Sequence, residues 1–206
     1  MVIGIDFDNT LVSYDDLIRR VALERGLIPP EMGAGKRRIR DYLRGLPGGE
    51  IQWQKVQGVV YGPRMGEARL IEGVSDFFRR SRSHGIRIYV VSHKTEFAGY
   101  DETRTNLRAA ALAWMEQNRF FAADGLGLSP SDVHFEASRP EKVERICSLG
   151  CTHFIDDLEE TFLEPSFPPR VEKVLFAPDA PSSVPLGVKA MTTWQEISDY
   201  VFADHW

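Results

Sequence analysis

The sequence lacks the features that mark secreted, membrane-spanning and nucleic-acid-binding proteins. Its 206 residues contain two cysteines, Cys147 and Cys151, too few for a disulfide framework, and we expect reduced structural thiols. No apolar run approaches the roughly 18 residues that cross a bilayer. Acidic residues outnumber basic ones by 30 to 25, and the net charge of −5 argues against nucleic acid as a partner. With no basic n-region before the first apolar run, we expect a protein of the cytoplasm, or of a compartment reached without a cleaved signal, and no membrane partner.

Strand and helix patterns alternate along most of the chain, and 43% hydrophobic residues are enough for a sizeable core. This alternation predicts an α/β fold with a mostly parallel sheet covered on both faces. The longest predicted helix covers residues 101–121. Strands are predicted over residues 2–5, 86–92, 133–135, 152–155, 171–176 and 188–191.

Residues 31–70 interrupt this alternation with many glycines and prolines, between which apolar residues keep helical spacing. We therefore predict a core domain of residues 1–12 and 71–206, with a small helical insertion over residues 13–70. The insertion carries one basic cluster, residues 36–44. The cluster is either a solvated helix face or a surface that meets an anionic substrate.

Three of the predicted strands end in residues that bear carboxylates or a hydroxyl group. Asp6 and Asp8 follow the first strand, Ser92 closes the second, and Asp156 and Asp157 follow the fourth. Ligands of open α/β sheets bind at the carboxyl ends of strands, so we expect these side chains to share one crevice. Four crowded carboxylates need a counter-charge, and an all-oxygen donor set favours Mg²⁺.

In their order along the chain, these residues resemble the motifs of the haloacid dehalogenase (HAD) superfamily. The first motif, Asp-x-Asp-x-Thr after an apolar strand, stands here at residues 6–10. Ser92 matches the hydroxyl residue of the second motif, Lys142 matches the lysine near a helix start, and residues 156–157 match the final acidic pair. The resemblance implies a HAD-like Rossmannoid three-layer fold with a mostly parallel sheet, in which the helical insertion is a cap.

The resemblance also implies an activity, that of a Mg²⁺-dependent phosphatase. Such an enzyme hydrolyses the phosphomonoester of a small phosphorylated metabolite through an aspartyl-phosphate. Asp6 would then be the nucleophile, and Asp8 would protonate the leaving oxygen and later activate water. Ser92 would donate to a phosphoryl oxygen, and Lys142 would offset negative charge. Mg²⁺ would be held by Asp6, the main-chain oxygen of Asp8, Asp156 and Asp157, the last as a ligand or as support for one.

Four further residues are candidates for substrate binding. Backbone N–H groups around Phe7 would complete the phosphate cradle, and Thr10 would position the loop. His93 and Lys94 directly follow Ser92, so they either contact substrate or belong to a solvated loop.

Several alternative functions stay open at this point. A phosphotransferase or phosphomutase would carry the same motifs, and a dehalogenase would share the nucleophile, although Asp8 argues against it. A non-catalytic binding or scaffold protein could also retain the fold. The core motifs act on the phosphoryl group alone, so they leave open both the substrate and the oligomeric state, including a homo-oligomer.

Overall fold

The computed structural model describes residues 1–100, 103–181 and 183–203, and the chain divides into two compact units. Residues 95–118, which the sequence analysis placed in the core domain, belong instead to the second unit together with the helical insertion. The first unit consists of Met1–Val12, Leu70–Lys94 and Arg119–Trp206, and the second of Ser13–Arg69 and Thr95–Asn118.

A six-stranded parallel sheet forms the centre of the first unit. The strands of the chain are β1 (Val2–Ile5), β2 (Val12–Ser13), β3 (Arg69–Leu70), β4 (Arg87–His93), β5 (Val133–Glu136), β6 (His153–Asp156), β7 (Glu172–Phe176) and β8 (Val188–Met191). The spatial order of the large sheet is β5-β4-β1-β6-β7-β8, and β2 pairs with β3 in a separate two-stranded sheet. The parallel sheet confirms the predicted fold class.

Strand order in the large sheet reverses at β1. The chain runs outward from β1 to β4 and β5, crosses back to β6, and then continues outward to β7 and β8. The carboxyl ends of β4, β1 and β6 therefore lie side by side at the centre of one sheet edge. In open α/β sheets this reversal is where ligands bind, because the connections that follow neighbouring strands lead to opposite faces.

Helices cover both faces of this sheet. The helices of the chain are α1 (Asp15–Glu24), α2 (Lys36–Arg44), α3 (Gly49–Tyr61), α4 (Val74–Ser83), α5 (Leu107–Gln117), α6 (Arg139–Ser148), α7 (Glu159–Phe162) and α8 (Trp194–Val201). Leu175 of β7 packs into a buried cluster with Val143 and Ile146 of α6. The next residue, Phe176, points the other way, and its ring lies 6.0 Å from that of Trp194 in α8.

The packing between β1 and β6 is tight enough to require a glycine. A Cβ atom on Gly4 would lie 2.5 Å from Cδ2 of Phe154 and 3.0 Å from Sγ of Cys151, both of which cover this face of β1. Both cysteines are free thiols, Cys151 buried and Cys147 exposed. The expectation of unpaired thiols is therefore met within the described residues.

The second unit is helical and contains α1, α2, α3 and α5. The indole Nε1 of Trp114 in α5 donates to the carbonyl of Ala68 at 2.9 Å, which ties residues 95–118 to the insertion. Helix α5 is shorter than the predicted 101–121, because Asn106 caps its start and Arg119 takes a left-handed φ of 62° after its end. Asp101 lies outside the described residues. The role of this unit as a cap stays a prediction.

Candidate active site

The loop after β1 fixes the first two acidic residues. The N–H of Asp6 donates to the carbonyl of Ile155 at 2.8 Å, which keeps the chain aligned with β6 one residue beyond β1. The carbonyl of Phe7 accepts from Leu11 at 3.0 Å and from Val12 at 3.3 Å, so the chain turns back at once. Asp6 and Asp8 are thus held on the short segment where strand order reverses.

Two donors converge on one oxygen of Asp6. Its Oδ1 accepts from the hydroxyl of Ser92 at 2.9 Å and from Nζ of Lys142 at 2.6 Å. Ser92 lies in β4, the parallel neighbour of β1, and Lys142 lies in α6. Among the described residues no hydrogen bond is made to Asp6 Oδ2, which leaves this oxygen available to a ligand.

Lys142 joins the carboxylates of two neighbouring strands. Its Nζ also donates to Oδ2 of Asp156 at 2.6 Å, and the Lys142 side chain is only 3% exposed. Helix α6 starts at Ser138, whose side chain accepts from the N–H of Glu141, and this start places Lys142 in the helix one turn after the cap. Asp156 itself is held by the N–H of Leu158, which donates to its Oδ1 at 2.9 Å.

Burial and neighbouring charges act in opposite directions on the pKa values of this cluster. Burial raises the pKa of Asp6 to about 6; Lys142 opposes that rise, whereas the carboxylates of Asp156 and Asp8 add to it. Burial alone would lower the pKa of Lys142, but Asp156 and Asp6 hold it above its usual value. Lys142 therefore stays charged, and any further positive charge beside Asp6 would favour its ionised form.

A second buried lysine binds Asp8. Nζ of Lys94 donates to both carboxylate oxygens of Asp8, at 2.9 and 2.7 Å, and its side chain is 3% exposed. The same Nζ lies 5.4 Å from the centre of the Phe7 ring. From the sequence, Lys94 was expected either to contact substrate or to belong to a solvated loop. Its burial against Asp8 excludes the solvated loop, and substrate contact is untested.

The acidic residues fit a divalent cation. Asp6, Asp156 and Asp157 each offer a carboxylate oxygen, and these oxygens all lie within 4.8 Å of one another. The ion pairs of the site set the carboxylates of Asp6, Asp8 and Asp156 against two ammonium groups, those of Lys94 and Lys142, so negative charge exceeds positive charge in these pairs. An oxygen-only donor set with this excess suits Mg²⁺. The side chain of Asp8 is bound by Lys94, which agrees with a main-chain oxygen as the ligand that Asp8 would offer the cation.

The remaining candidate residues have different surroundings. Phe7 is fully buried with its ring 5.9 Å from that of Phe135, so only its main chain can meet a ligand. Thr10 is also fully buried, and its carbonyl accepts from Nε1 of Trp194 at 3.0 Å. His93 is exposed; its Nε2 donates to the carbonyl of Ala137 at 3.1 Å, and partial burial lowers its pKa.

The Lys94–Asp8 pair is the feature of the site that sequence reasoning missed. Side chains alternate along a strand, so Ser92 and Lys94 point to one side while His93 points to the other. The same alternation puts Asp6 and Asp8 on one side of the β1 segment. The sequence prediction gave His93 and Lys94 the same surroundings. The alternation of side chains along a strand could have shown that only Lys94 lies on the side of Ser92.

Comparison with solved structures places this arrangement among known folds. A HAD-like hydrolase from Streptococcus pneumoniae aligns with 97% of this chain and 97% of its own, with a TM-score of 0.61 and 13% identity. A HAD-superfamily hydrolase, subfamily IA, from Geobacter sulfurreducens aligns with 97% and 95%, at TM-score 0.57 and 15% identity. A HAD-family hydrolase from Deinococcus radiodurans, solved with phosphate and sodium bound, aligns with 98% and 95%, at TM-score 0.54 and 16% identity.

The chain has the fold of the HAD-like hydrolases. Neither a family profile nor a curated protein sequence matches it. At these low identities the likeness describes the backbone, so the activity has to be argued from the side chains at the edge of the sheet. Within the part of the chain that the structure describes, no helix combines the length and apolar character needed to cross a membrane.

Proposed function

We propose that the protein is a Mg²⁺-dependent phosphomonoester hydrolase that acts on a small phosphorylated metabolite through an aspartyl-phosphate. One observation carries the proposal: the Asp6 carboxylate is contacted by Ser92 and Lys142 and lies close to the acidic pair 156–157 at the end of the neighbouring strand. A structure of the same fold that holds phosphate gives further support. Because these groups act on the phosphoryl group itself, the proposal covers the reaction and not the identity of the metabolite.

The first step would be attack of Asp6 on phosphorus. Ser92 and Lys142 both bind Oδ1, so Oδ2 is the oxygen that forms the new bond. The bond from phosphorus to the ester oxygen breaks on the opposite side, and that oxygen takes a proton from Asp8 as the alcohol leaves. Ser92 and Lys142 are donors, and they would stabilise charge on the phosphoryl oxygens during the transfer.

The second step would return Asp6 to its starting state. Water attacks phosphorus of the aspartyl-phosphate, Asp8 takes the proton of that water, and the bond between phosphorus and Asp6 Oδ2 breaks. Inorganic phosphate leaves, and the Asp6 carboxylate and the protonated Asp8 are regenerated. One carboxyl group therefore moves one proton in each direction per turnover.

The bound cation would be held by the carboxylates of Asp6, Asp156 and Asp157 and by the main-chain oxygen of Asp8. Mg²⁺ at this position would neutralise phosphoryl charge and polarise the phosphorus–oxygen bonds. A dication there would also favour the ionised form of the nucleophile, whose pKa burial raises to about 6.

The test is a screen of the purified chain against a panel of phosphometabolites and para-nitrophenyl phosphate, with Mg²⁺ or with EDTA. We expect release of inorganic phosphate that needs Mg²⁺ and disappears in Asp6→Asn. Asp179→Asn is the matched control, because Asp179 is an exposed aspartate of the first unit. Normal phosphate release by Asp6→Asn would refute the proposed nucleophile.

Product analysis separates the proposal from its alternatives. A phosphotransferase or phosphomutase would form phospho-Asp6 but pass the group to an acceptor other than water, so little inorganic phosphate would appear. A binding or scaffold protein would neither hydrolyse an ester nor trap beryllofluoride on Asp6. A covalent phosphoryl adduct on Asp6 would support the two-step reaction. It can be sought by peptide mass spectrometry of Asp8→Asn after brief exposure to para-nitrophenyl phosphate, whose leaving group needs no proton from Asp8.

A further inference from the structure

The pair between Lys94 and Asp8 is a buried contact whose role the reaction scheme above does not assign. Nζ of Lys94 reaches both oxygens of Asp8, and the Lys94 side chain is 3% exposed whereas that of Asp8 is 22% exposed. The lysine therefore sits behind the carboxylate, on its protein side. Asp8 in turn keeps part of its surface toward solvent, where a substrate would be met.

The position of Lys94 follows from the register of two strands. β1 and β4 run parallel, with Ile5 beside Val90. Where the chain leaves these two strands, Ser92 donates to Asp6, and two residues further along each segment Lys94 donates to Asp8. The two contacts therefore follow one another at the carboxyl ends of β1 and β4. The first contact holds the proposed nucleophile, and the second holds the proposed acid and base.

A buried ammonium group needs its partner. Lys94 lies against the ring of Phe7, which itself packs edge-on against Phe135, so little water is available to solvate Nζ. Removing either side chain would take two hydrogen bonds away from its partner, which is largely buried, and this is costly in a site with little water. Two hydrogen bonds to one carboxylate also fix its orientation as well as its distance.

We propose that Lys94 is a positioning residue that acts through Asp8. In the ionised form, in which both oxygens of Asp8 accept from Nζ, Lys94 holds the carboxylate in the orientation required to take the proton of the attacking water, and it does not contact the substrate. This inference rests on the proposed hydrolase function and deepens it, because it assigns separate tasks to the two buried lysines. Lys142 compensates charge at the nucleophile, and Lys94 orients the proton-transfer group.

A double-mutant cycle on turnover tests this role, with the variants Lys94→Met, Asp8→Asn and the double variant assayed with Mg²⁺ and saturating ester. We expect Lys94→Met to lower kcat by about 10- to 100-fold with KM changed less than about threefold, since misorientation removes part of the usual gain from acid–base catalysis. In the Asp8→Asn background the same substitution should change kcat by less than about threefold, because its target is already lost. Lys94→Arg should recover part of kcat, since a guanidinium also binds a carboxylate with two bonds.

Other results would overturn the inference. A large rise in KM for Lys94→Met, or losses that multiply in the double variant, would show that Lys94 acts on the substrate independently of Asp8. Lys173→Met is the matched control: Lys173 is a half-buried lysine that donates to the carbonyl of Phe162, and its loss should leave kcat within about twofold of wild type.

A second cycle, on urea unfolding of the same variants, needs no turnover. We expect the shift of the unfolding midpoint in the double variant to be smaller than the sum of the single shifts, because each single variant leaves its partner buried. Additive shifts would refute the Lys94–Asp8 pair itself. A wild-type chain that hydrolyses no ester while the midpoints remain coupled would instead refute the proposed function, and the positioning role would fall with it while the pair would stand.

Discussion

Replacing Lys142 by Met tests the charge balance of the site most directly. The substitution keeps much of the side-chain length but removes the ammonium group that lies 2.6 Å from both Asp6 Oδ1 and Asp156 Oδ2. Both carboxylates are buried, at 7% and 0% exposure. Removing one partner of a buried ion pair costs about 3–5 kcal/mol, a large share of the roughly 5–15 kcal/mol that holds a typical domain together. We expect a loss of this size in the free energy of unfolding at pH 8 in EDTA.

The loss should depend on pH in a definite direction. Lys142 is the largest influence that lowers the pKa of Asp6, so the variant should have an Asp6 pKa above the wild-type value of about 6. When the pKa of a group is higher in the folded than in the unfolded state, its contribution to stability is present at low pH. That contribution is lost as pH rises through the folded-state pKa. The destabilisation by Lys142→Met should therefore be larger at pH 8 than at pH 5.

Mg²⁺ should reverse part of the loss. A dication bound by the same carboxylates replaces the missing positive charge, and a ligand at 100 times its Kd adds about 2.7 kcal/mol of stability. Urea unfolding at pH 5 and pH 8, with EDTA or Mg²⁺, measures all these effects. Lys173→Met, which removes a bond to a neutral carbonyl, should cost about 1 kcal/mol and show no extra response to Mg²⁺. A Lys142→Met chain as stable as wild type at pH 8 in EDTA would refute the reasoning.

Three further predictions follow from burial. In EDTA, Asp6→Asn should gain stability relative to wild type as pH rises from 4 to 7, by up to about 3 kcal/mol. The reason is that the folded wild type loses free energy of unfolding in this range, because the pKa of Asp6 is raised to about 6 in the folded state. Gly4→Ala should lower the free energy of unfolding by about 1–3 kcal/mol, because its Cβ would lie 2.5 Å from the Phe154 ring. A thiol reagent at pH 8 should label exposed Cys147 quickly and Cys151 only after denaturation, because burial raises the pKa of the Cys151 thiol to about 12.

Each of these has a control and a contrary outcome. Mg²⁺ should remove the pH trend between wild type and Asp6→Asn, and an unchanged trend would argue against a cation at Asp6. Gly99→Ala, at an exposed glycine whose Cβ would meet only Gln54 at 3.9 Å, should leave stability unchanged, so an equal loss there would contradict the packing argument. Fast labelling of both thiols in urea-free buffer would contradict the burial of Cys151.

The sequence alone determined the parts of this protein that depend on local pattern. Alternating apolar segments predicted the parallel sheet, and polar residues at strand ends predicted that Asp6, Ser92 and Asp156 would meet at one edge. These predictions work because parallel strands in an α/β sheet all present their carboxyl ends on the same side, whatever their spatial order. Lys142 was identified through the resemblance to the HAD superfamily motifs, in which a lysine stands near the start of a helix.

Only the tertiary structure decided which charges pair and which segments pack together. Lys94 and Asp8 are 86 residues apart, and their contact depends on the register between β1 and β4. Residues 95–118 join the second unit because Trp114 packs and hydrogen-bonds there, which no local spacing reveals. Sequence periodicity indicates the face of a strand or helix on which a side chain lies, but contacts between distant segments determine which residue it meets there. The same contacts bury Asp6 and thereby raise its pKa.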